Sequence, residues 1–290
     1  MEKKVALALG SGGARGIAHI GVIKELLNNG FSITSISGTS MGALVGGVYA
    51  AGKLDEFEDW ITQLNKKDVF SLMDFTISKN GIIKANKSLL EIQKFIPDQS
   101  IENLPIKYSA IATDIKENKE IVITQGSLFE AIRASIAIPM VLTPFKQNGN
   151  LMVDGGILNP VPTNRVYRQK NDILIAVDVT ADISNNNKSK EKQQNIIEKL
   201  LNFKPLNLET DNNNDNLGYI NLASKATHIM MSQITKLTLE LFPPDFLVEI
   251  PSDTCGTFEF YKSLELINLG KNTMARCLEQ QHFFHNPQTQ

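Results

Sequence analysis

Ser40 stands at the centre of Gly38-Thr39-Ser40-Met41-Gly42, between an apolar run of β type (Ile33 to Ser37) and a helix of small residues (Ala43 to Ala51). G-x-S-x-G at such a junction has the form of a nucleophile elbow: serine is carried clear of the backbone on a sharp strand-to-helix turn. Gly38 and Gly42 remove the Cβ atoms that would clash there. The hydroxyl then sits at a helix N-terminus, where unpaired N–H groups and the positive end of the dipole favour developing negative charge. That is a place from which to attack a carbonyl. A glycine-serine turn before an ordinary helix would read the same, so the pentapeptide alone does not decide.

A second glycine cluster, Gly10-Ser11-Gly12-Gly13-Ala14-Arg15-Gly16, follows the buried-strand pattern Val5 to Leu9 and opens a helix running to about Asn29. Gly30 supplies its C-terminal stop. Strand, glycine loop and helix make an anion cradle, because backbone without side chains approaches a ligand closely and aims several N–H groups at it. A dinucleotide pyrophosphate fits poorly. Counted from Gly10, Arg15 holds the last glycine position of G-x-G-x-x-G, and the second strand lacks the terminal acid that would bind a ribose. A nucleotide-phosphate loop is excluded by the lack of Gly-Lys-Ser/Thr. The remaining use is an oxyanion hole, with the N–H groups of Gly12, Gly13 and Met41 receiving the oxygen of a tetrahedral intermediate.

Activating a serine requires a base. Val153-Asp154-Gly155-Gly156 offers a carboxylate at the end of the apolar run Leu151 to Val153, although Asp-Gly by itself reads as a turn. Taken together and in this order, the three blocks resemble the patatin-like phospholipase family, whose bacterial members and whose relative, the neuropathy target esterase catalytic domain, use a Ser-Asp dyad. The resemblance implies that Ser40 is the nucleophile and Asp154 the general base. The Gly12-Gly13 loop becomes the oxyanion hole, with Arg15 as its basic residue and Gly10, Gly16, Gly38, Gly42, Gly155 and Gly156 as motif glycines. Ala112-Thr113-Asp114, Arg133-Ala134-Ser135 with Pro139 and Pro144, Asn159-Pro160-Val161-Pro162 and Gly256-Thr257-Phe258 extend the likeness through most of the chain. One departure is visible: Ser11 replaces the first glycine of the family's G-x-G-x-x-G.

Histidine is the usual partner of a serine, and the chain has His19, His228, His282 and His285. A Ser, Asp, His order would suit an α/β-hydrolase, but that fold carries its nucleophile after several strands, whereas Ser40 follows only the second. The dyad is therefore preferred and the histidines are assigned structural or surface roles. A carboxylate at its usual pKa near 4 is a poor base for an alcohol. Partial desolvation of Asp154, with oxyanion donors taking up charge as the proton moves, narrows the mismatch. The expected chemistry is acyl transfer through an acyl-Ser40 intermediate, released by water that Asp154 activates.

The elements that must position these groups follow from the apolar runs near 5–9, 33–37, 108–112, 120–124, 151–153 and 173–179, several of them separated by helical patterns. The alternation predicts an α/β fold with a mostly parallel central sheet and helices on both faces, and the resemblance implies a single patatin-like domain over 1–290. Ser40 and the glycine loop then lie at carboxyl ends of strands, where such sheets bind ligands. Residues 184–216, rich in Asn and Lys, read as a mobile surface excursion whose use as a lid stays open. Helical spacing returns over Tyr219 to Leu241 and Glu259 to Gln280, around a short strand Phe246 to Ile250. Val69, Phe70, Leu72, Met73, Phe75, Ile82 and Ile83, beside Gly81, are candidates for an acyl-chain wall or for core. Lys66, Lys67, Lys79 and Lys84 could meet a lipid phosphate or be plain solvated lysines.

At 290 residues and 42% hydrophobic the chain can bury one large core, and 29 basic against 31 acidic residues give no case for nucleic acid. Two cysteines, Cys255 and Cys277, make neither a metal tetrad nor a disulfide framework and fit a reducing compartment. Met1-Glu2-Lys3-Lys4 precedes only five apolar residues, too few for a signal-peptide core, and no apolar run approaches a membrane span. The expectation is a cytoplasmic serine acyl hydrolase needing no metal or organic cofactor. Its partner is a phospholipid, lysophospholipid or other acyl-ester substrate, met in transient contact with a membrane surface. A general carboxylesterase or thioesterase, or a lipid-binding regulatory protein of low turnover, is the alternative. The oligomeric state is not legible.

Overall fold

The computed structural model describes residues 3–72, 75–78, 81–83, 86–139, 141–147, 149–183 and 219–285. In chain order the elements are β1 (Lys3–Leu9), α1 (Ala18–Asn28), β2 (Phe31–Thr39), α2 (Met41–Ala50), α3 (Leu54–Thr62), α4 (Lys66–Leu72), β3 (Phe75–Ser78), β4 (Gly81–Ile83), α5 (Asn86–Gln93), β5 (Lys107–Asp114), β6 (Lys119–Ile123) and α6 (Leu128–Ser135). There follow β7 (Phe145–Gln147), β8 (Asn150–Asp154), β9 (Ile173–Ala181), α7 (Tyr219–Leu241), β10 (Phe246–Pro251) and α8 (Ser263–His285). The excursion expected over 184–216 lies outside the described residues.

Eight strands form one sheet in the order β10-β9-β1-β2-β5-β8-β7, with β6 also paired to β5, while β3 and β4 pair separately. The five strands from β10 to β5 are parallel, and β6, β7 and β8 run antiparallel. The sheet is thus mostly parallel with an antiparallel end. That reversal was not visible in the apolar runs, because strand direction is set by how the connections return. β5 is central to it. Ala110 and Ile111 are paired on both edges, to β2 and to β6, whereas Ala112 to Asp114 are paired to β6 and to β8. β8 therefore takes over the edge of β5 that β2 has just left.

Alternation along the strands divides the core. Val5, Leu7 and Leu9 of β1 and Ile175, Val177 and Val179 of β9 face the main layer, with α1, α2 and α8. On the opposite face Ala8 and Ala176 pack with Val161, Leu239 of α7 and Leu247. Bulky branched side chains on one side and alanine on the other let backbone lie close to the second face. Helices cover both. α1 and α8 cross at backbone contact: a Cβ on Gly21 would lie 1.9 Å from the Ile267 carbonyl oxygen, and one on Gly270 2.0 Å from that of Ala18.

Such a crossing admits no methyl group. Gly21→Ala and Gly270→Ala should each force the helices apart and lower stability by roughly 1–3 kcal/mol, outweighing the helix-propensity gain of about 1 kcal/mol. Urea denaturation followed by circular dichroism reads this directly. Unchanged midpoints in both variants would mean that the helices do not cross there.

Candidate active site

Register brings the two candidate reacting groups together. Thr39 is the last β2 residue paired to β5, opposite Ile111, and on the same edge the next residue of β5, Ala112, is paired to Asp154. β2 runs up this edge and β8 runs down it, so their carboxyl ends meet. Ser40 follows Thr39 directly. Its backbone takes φ 56° and ψ −120°, one of two left-handed conformations among the described non-glycine residues. Such backbone costs on the order of 1–3 kcal/mol and persists only where its surroundings hold it.

The restraints can be named. The Ser40 N–H donates to Ser135 Oγ at 2.9 Å, and that hydroxyl donates in turn to the Ile111 carbonyl at 2.6 Å. The Ser40 carbonyl accepts from the N–H groups of Ala43 and Leu44 in the first turn of α2. A Cβ on Gly38 would lie 2.4 Å from the Gly42 carbonyl oxygen, and one on Gly42 would lie 2.1 Å from that of Leu9. Gly38 thus lets the elbow close on itself, and Gly42 lets it seat against β1.

Asp154 is 5% exposed. Its N–H donates to the Ala137 carbonyl at 2.9 Å, and its Oδ1 accepts from the Gly156 N–H at 2.8 Å. Burial pushes the carboxyl up to about 6, against the opposing pull of the Ser40 hydroxyl and the Gly156 N–H. The Ser40 hydroxyl pulls against this rise, and Oδ2 is buried with no hydrogen-bond partner among the described residues. A Cβ on Gly155 would lie 2.3 Å from the Ile111 carbonyl oxygen, so that glycine lets the loop after β8 rest on β5.

The glycine loop is tied at both ends and free in the middle. Gly10 N–H donates to the Val177 carbonyl, Ser11 N–H to that of Pro160 and Ala14 N–H to that of Thr257. No acceptor among the described residues is found for the N–H groups of Gly12, Gly13 or Met41. Gly13 has φ +57°, and a Cβ on Gly12 would come within 2.3 Å of the Val179 side chain. Arg15 supports the loop rather than reaching over it: Nε donates to the Ser252 carbonyl at 2.6 Å and Nη1 to that of Gly12 at 3.4 Å.

The quoted stretches around Pro160 and Thr257 supply carbonyls that fix this loop, and the Asn159 carbonyl accepts from the Thr39 hydroxyl at 2.8 Å. Two further residues support this loop and elbow, Ser135 with no role assigned from sequence and His19 with the structural role expected of it. Ser135 was noted only within a longer stretch. His19 lies wholly buried beneath the loop, where its Nε2 donates to the Gly10 carbonyl at 2.8 Å. Burial pushes its imidazole down to about 4, so it is a neutral donor near pH 7. Its place on an apolar helix face gave no sign of which carbonyl it would meet. No described histidine is hydrogen-bonded to Ser40 or Asp154; the side chains of His282 and His285 lie outside the described residues.

Of the proposed acyl-chain wall, Val69 is buried and Phe70 half exposed on α4. Met73, Lys79 and Lys84, with the side chains of Phe75, Ile82 and Ile83, lie outside the described residues. Lys66 sits over the Tyr261 ring at 4.8 Å.

A family model described as patatin-like phospholipase matches residues 7–167. An uncharacterized NTE family protein of Mycobacterium tuberculosis is 34% identical over 95% of this chain and 91% of its own length. The lysophospholipase NTE1 of Yarrowia lipolytica is 31% identical over 60% of this chain but only 12% of its own. Among solved structures, VipD from Legionella pneumophila is similar in fold, with a TM-score of 0.50 and 13% identity over 96% of this chain and 67% of its own.

The raised Asp154 pKa carries a cost in stability. A carboxyl that holds its proton more tightly when folded destabilises the native state as pH rises from its unfolded value of 3.8 through about 6. Asp154→Asn removes the charge while keeping an Oδ1 acceptor for the Gly156 N–H. The variant should therefore gain on the wild type between pH 4 and pH 7, by up to about 3 kcal/mol at the upper end. Denaturant midpoints at the two pH values measure the difference; a gap that does not widen with pH would show Asp154 to be solvated.

Proposed function

The chain belongs to the patatin-like phospholipase family, and from that premise we propose that it is a serine acyl hydrolase cleaving phospholipid or lysophospholipid esters through Ser40 and Asp154. The observation that carries this reading is the meeting of β2 and β8 on one edge of β5, with the buried Asp154 carboxyl acting on the Ser40 hydroxyl. The lysophospholipase NTE1 relative supports the substrate class, which comes to this chain as a proposal.

In the proposed cycle Ser40 Oγ attacks the ester carbonyl carbon while its proton passes to Asp154. Negative charge forms on the carbonyl oxygen, where the unengaged N–H groups of Gly12, Gly13 and Met41 receive it, aided by the dipole of α2. Collapse breaks the ester C–O bond, and the leaving alcohol takes the proton from Asp154. Water then attacks the acyl-serine, Asp154 takes its proton, and a second collapse restores Ser40 and releases the fatty acid. Arg15 and His19 act at one remove, by holding the Gly12 and Gly10 carbonyls and hence the direction of the N–H groups.

Ser40→Ala should lower ester hydrolysis by on the order of a thousandfold or more and abolish labelling by a fluorophosphonate probe. Turnover retained in folded Ser40→Ala would end the assignment. Because only ionised Asp154 can take the proton, activity should rise with pH through an inflection near 6. A profile flat from pH 5 to 8 would place the base elsewhere.

A further inference from the structure

Helix α7 is laid down with its apolar side outward. Leu222, Ile229, Met230, Leu237 and Leu241 are exposed by 53%, 53%, 57%, 58% and 73%, and they recur at helical spacing along a single face. The inward side mixes Met231 and Leu239 with polar residues: Thr227 and Thr238 are partly buried there, and Thr235 is 4% exposed, its hydroxyl without a partner among the described residues. A helix that only covered a core would be turned the other way. Lys225 and Lys236 run exposed along one border of the apolar stripe, which exposed Gln233 and Glu240 interrupt.

The same helix reaches the candidate active site. A Cβ on Gly156 would lie 2.8 Å from Cε of Met231, and His228 bears electrostatically on Asp178, next to the Val177 carbonyl that accepts from Gly10. The apolar stripe is therefore one helix thickness from the loop that carries Asp154. No helix among the described residues is long and apolar enough to cross a membrane. An outward apolar stripe bordered by lysines, on a helix whose other side closes on the reacting groups, fits the interface of a phospholipid bilayer.

We propose that the outward face of α7 docks on a phospholipid bilayer, with its apolar residues in the acyl boundary and Lys225 and Lys236 against anionic headgroups. The choice of a bilayer as occupant rests on the acyl-hydrolase reading above. The full chain carrying Ser40→Ala, which cannot consume the lipid, is floated with phosphatidylcholine vesicles with and without phosphatidylglycerol. It should bind both and prefer the anionic ones. Adding Ile229→Glu and Leu237→Glu should lower partitioning by about tenfold or more, and Lys225→Glu with Lys236→Glu should remove the anionic preference. With Ser40 intact, the Ile229→Glu and Leu237→Glu protein should still hydrolyse a short water-soluble ester at the wild-type rate. Equal flotation with and without the glutamates, or no flotation of the Ser40→Ala protein, would overturn the docking surface. So would a fall in molecular mass on light scattering in the glutamate variants, which would assign the face to a second copy of the chain. If no protein with Ser40 intact hydrolyses any ester while flotation still depends on Ile229 and Leu237, docking stands and the acyl-hydrolase reading fails.

Discussion

Two strands share one edge of β5, and everything at the candidate site depends on that arrangement. β2 leaves the edge at Ile111 and antiparallel β8 takes it at Ala112, so the ends of two oppositely directed strands are brought to successive rungs of one ladder. No separate scaffold is needed to aim Ser40 at Asp154. The hydrogen bonds of the sheet fix the height of both, and a slip of one residue in either register would turn the side chains to opposite faces. Ser135 adds a tie between the rungs, since its hydroxyl accepts from Ser40 and donates to Ile111.

The electrostatic demands on the two groups conflict, and the fold separates them in space. On the proposed mechanism Ser40 needs a positive field for an oxyanion, for which the start of α2 and the N–H groups unengaged among the described residues are available. On the same proposal Asp154 needs the opposite, an environment that makes its charge unwelcome, so that the carboxylate is basic enough to take a proton from an alcohol. Burial supplies that and drives its pKa to about 6, while the Ser40 hydroxyl and the Gly156 N–H limit the rise. The left-handed backbone at Ser40 and the desolvated carboxyl at Asp154 each make the folded chain less stable than it could be. A well-packed interior under the sheet, with Leu7, Leu9, Ile17, Ile20 and Ile36 almost wholly buried, offsets them.

The sequence made the first-order features legible and left the indirect ones hidden. Gly38, Ser40, Gly42 and the 10–16 loop announce themselves because backbone conformation restricts which residues can stand there. The strands are legible because their apolar runs are compact. The antiparallel direction of β8 was not, nor was short β7, because a three-residue strand carries no periodicity. The support given by Ser135, His19 and Arg15 was hidden for a different reason: each acts on a carbonyl or N–H group remote in sequence, and such partners are set by the fold. Arg15 shows how a residue type can mislead. A positive charge beside an anion cradle suggests contact with the anion, yet its guanidinium bonds to the carbonyls of Ser252 and Gly12.

The distribution of small residues across the sheet ties packing to chemistry. On the face opposite α1 and α8, Ala8 and Ala176 let the chain around Val161 lie directly on the strands. That closeness places the Pro160 carbonyl where it accepts from Ser11, and the Asn159 carbonyl where it accepts from Thr39. A leucine at either alanine would lift this segment and release both the glycine loop and the last residue of β2 at once, without touching Ser40 or Asp154. Restraint of the loop from below by His19, from the side by Arg15 and Thr257, and from the far face by Pro160 leaves only its middle N–H groups unengaged. Donors held this way need no reorganisation when charge appears, which is the condition under which backbone N–H groups stabilise an oxyanion well.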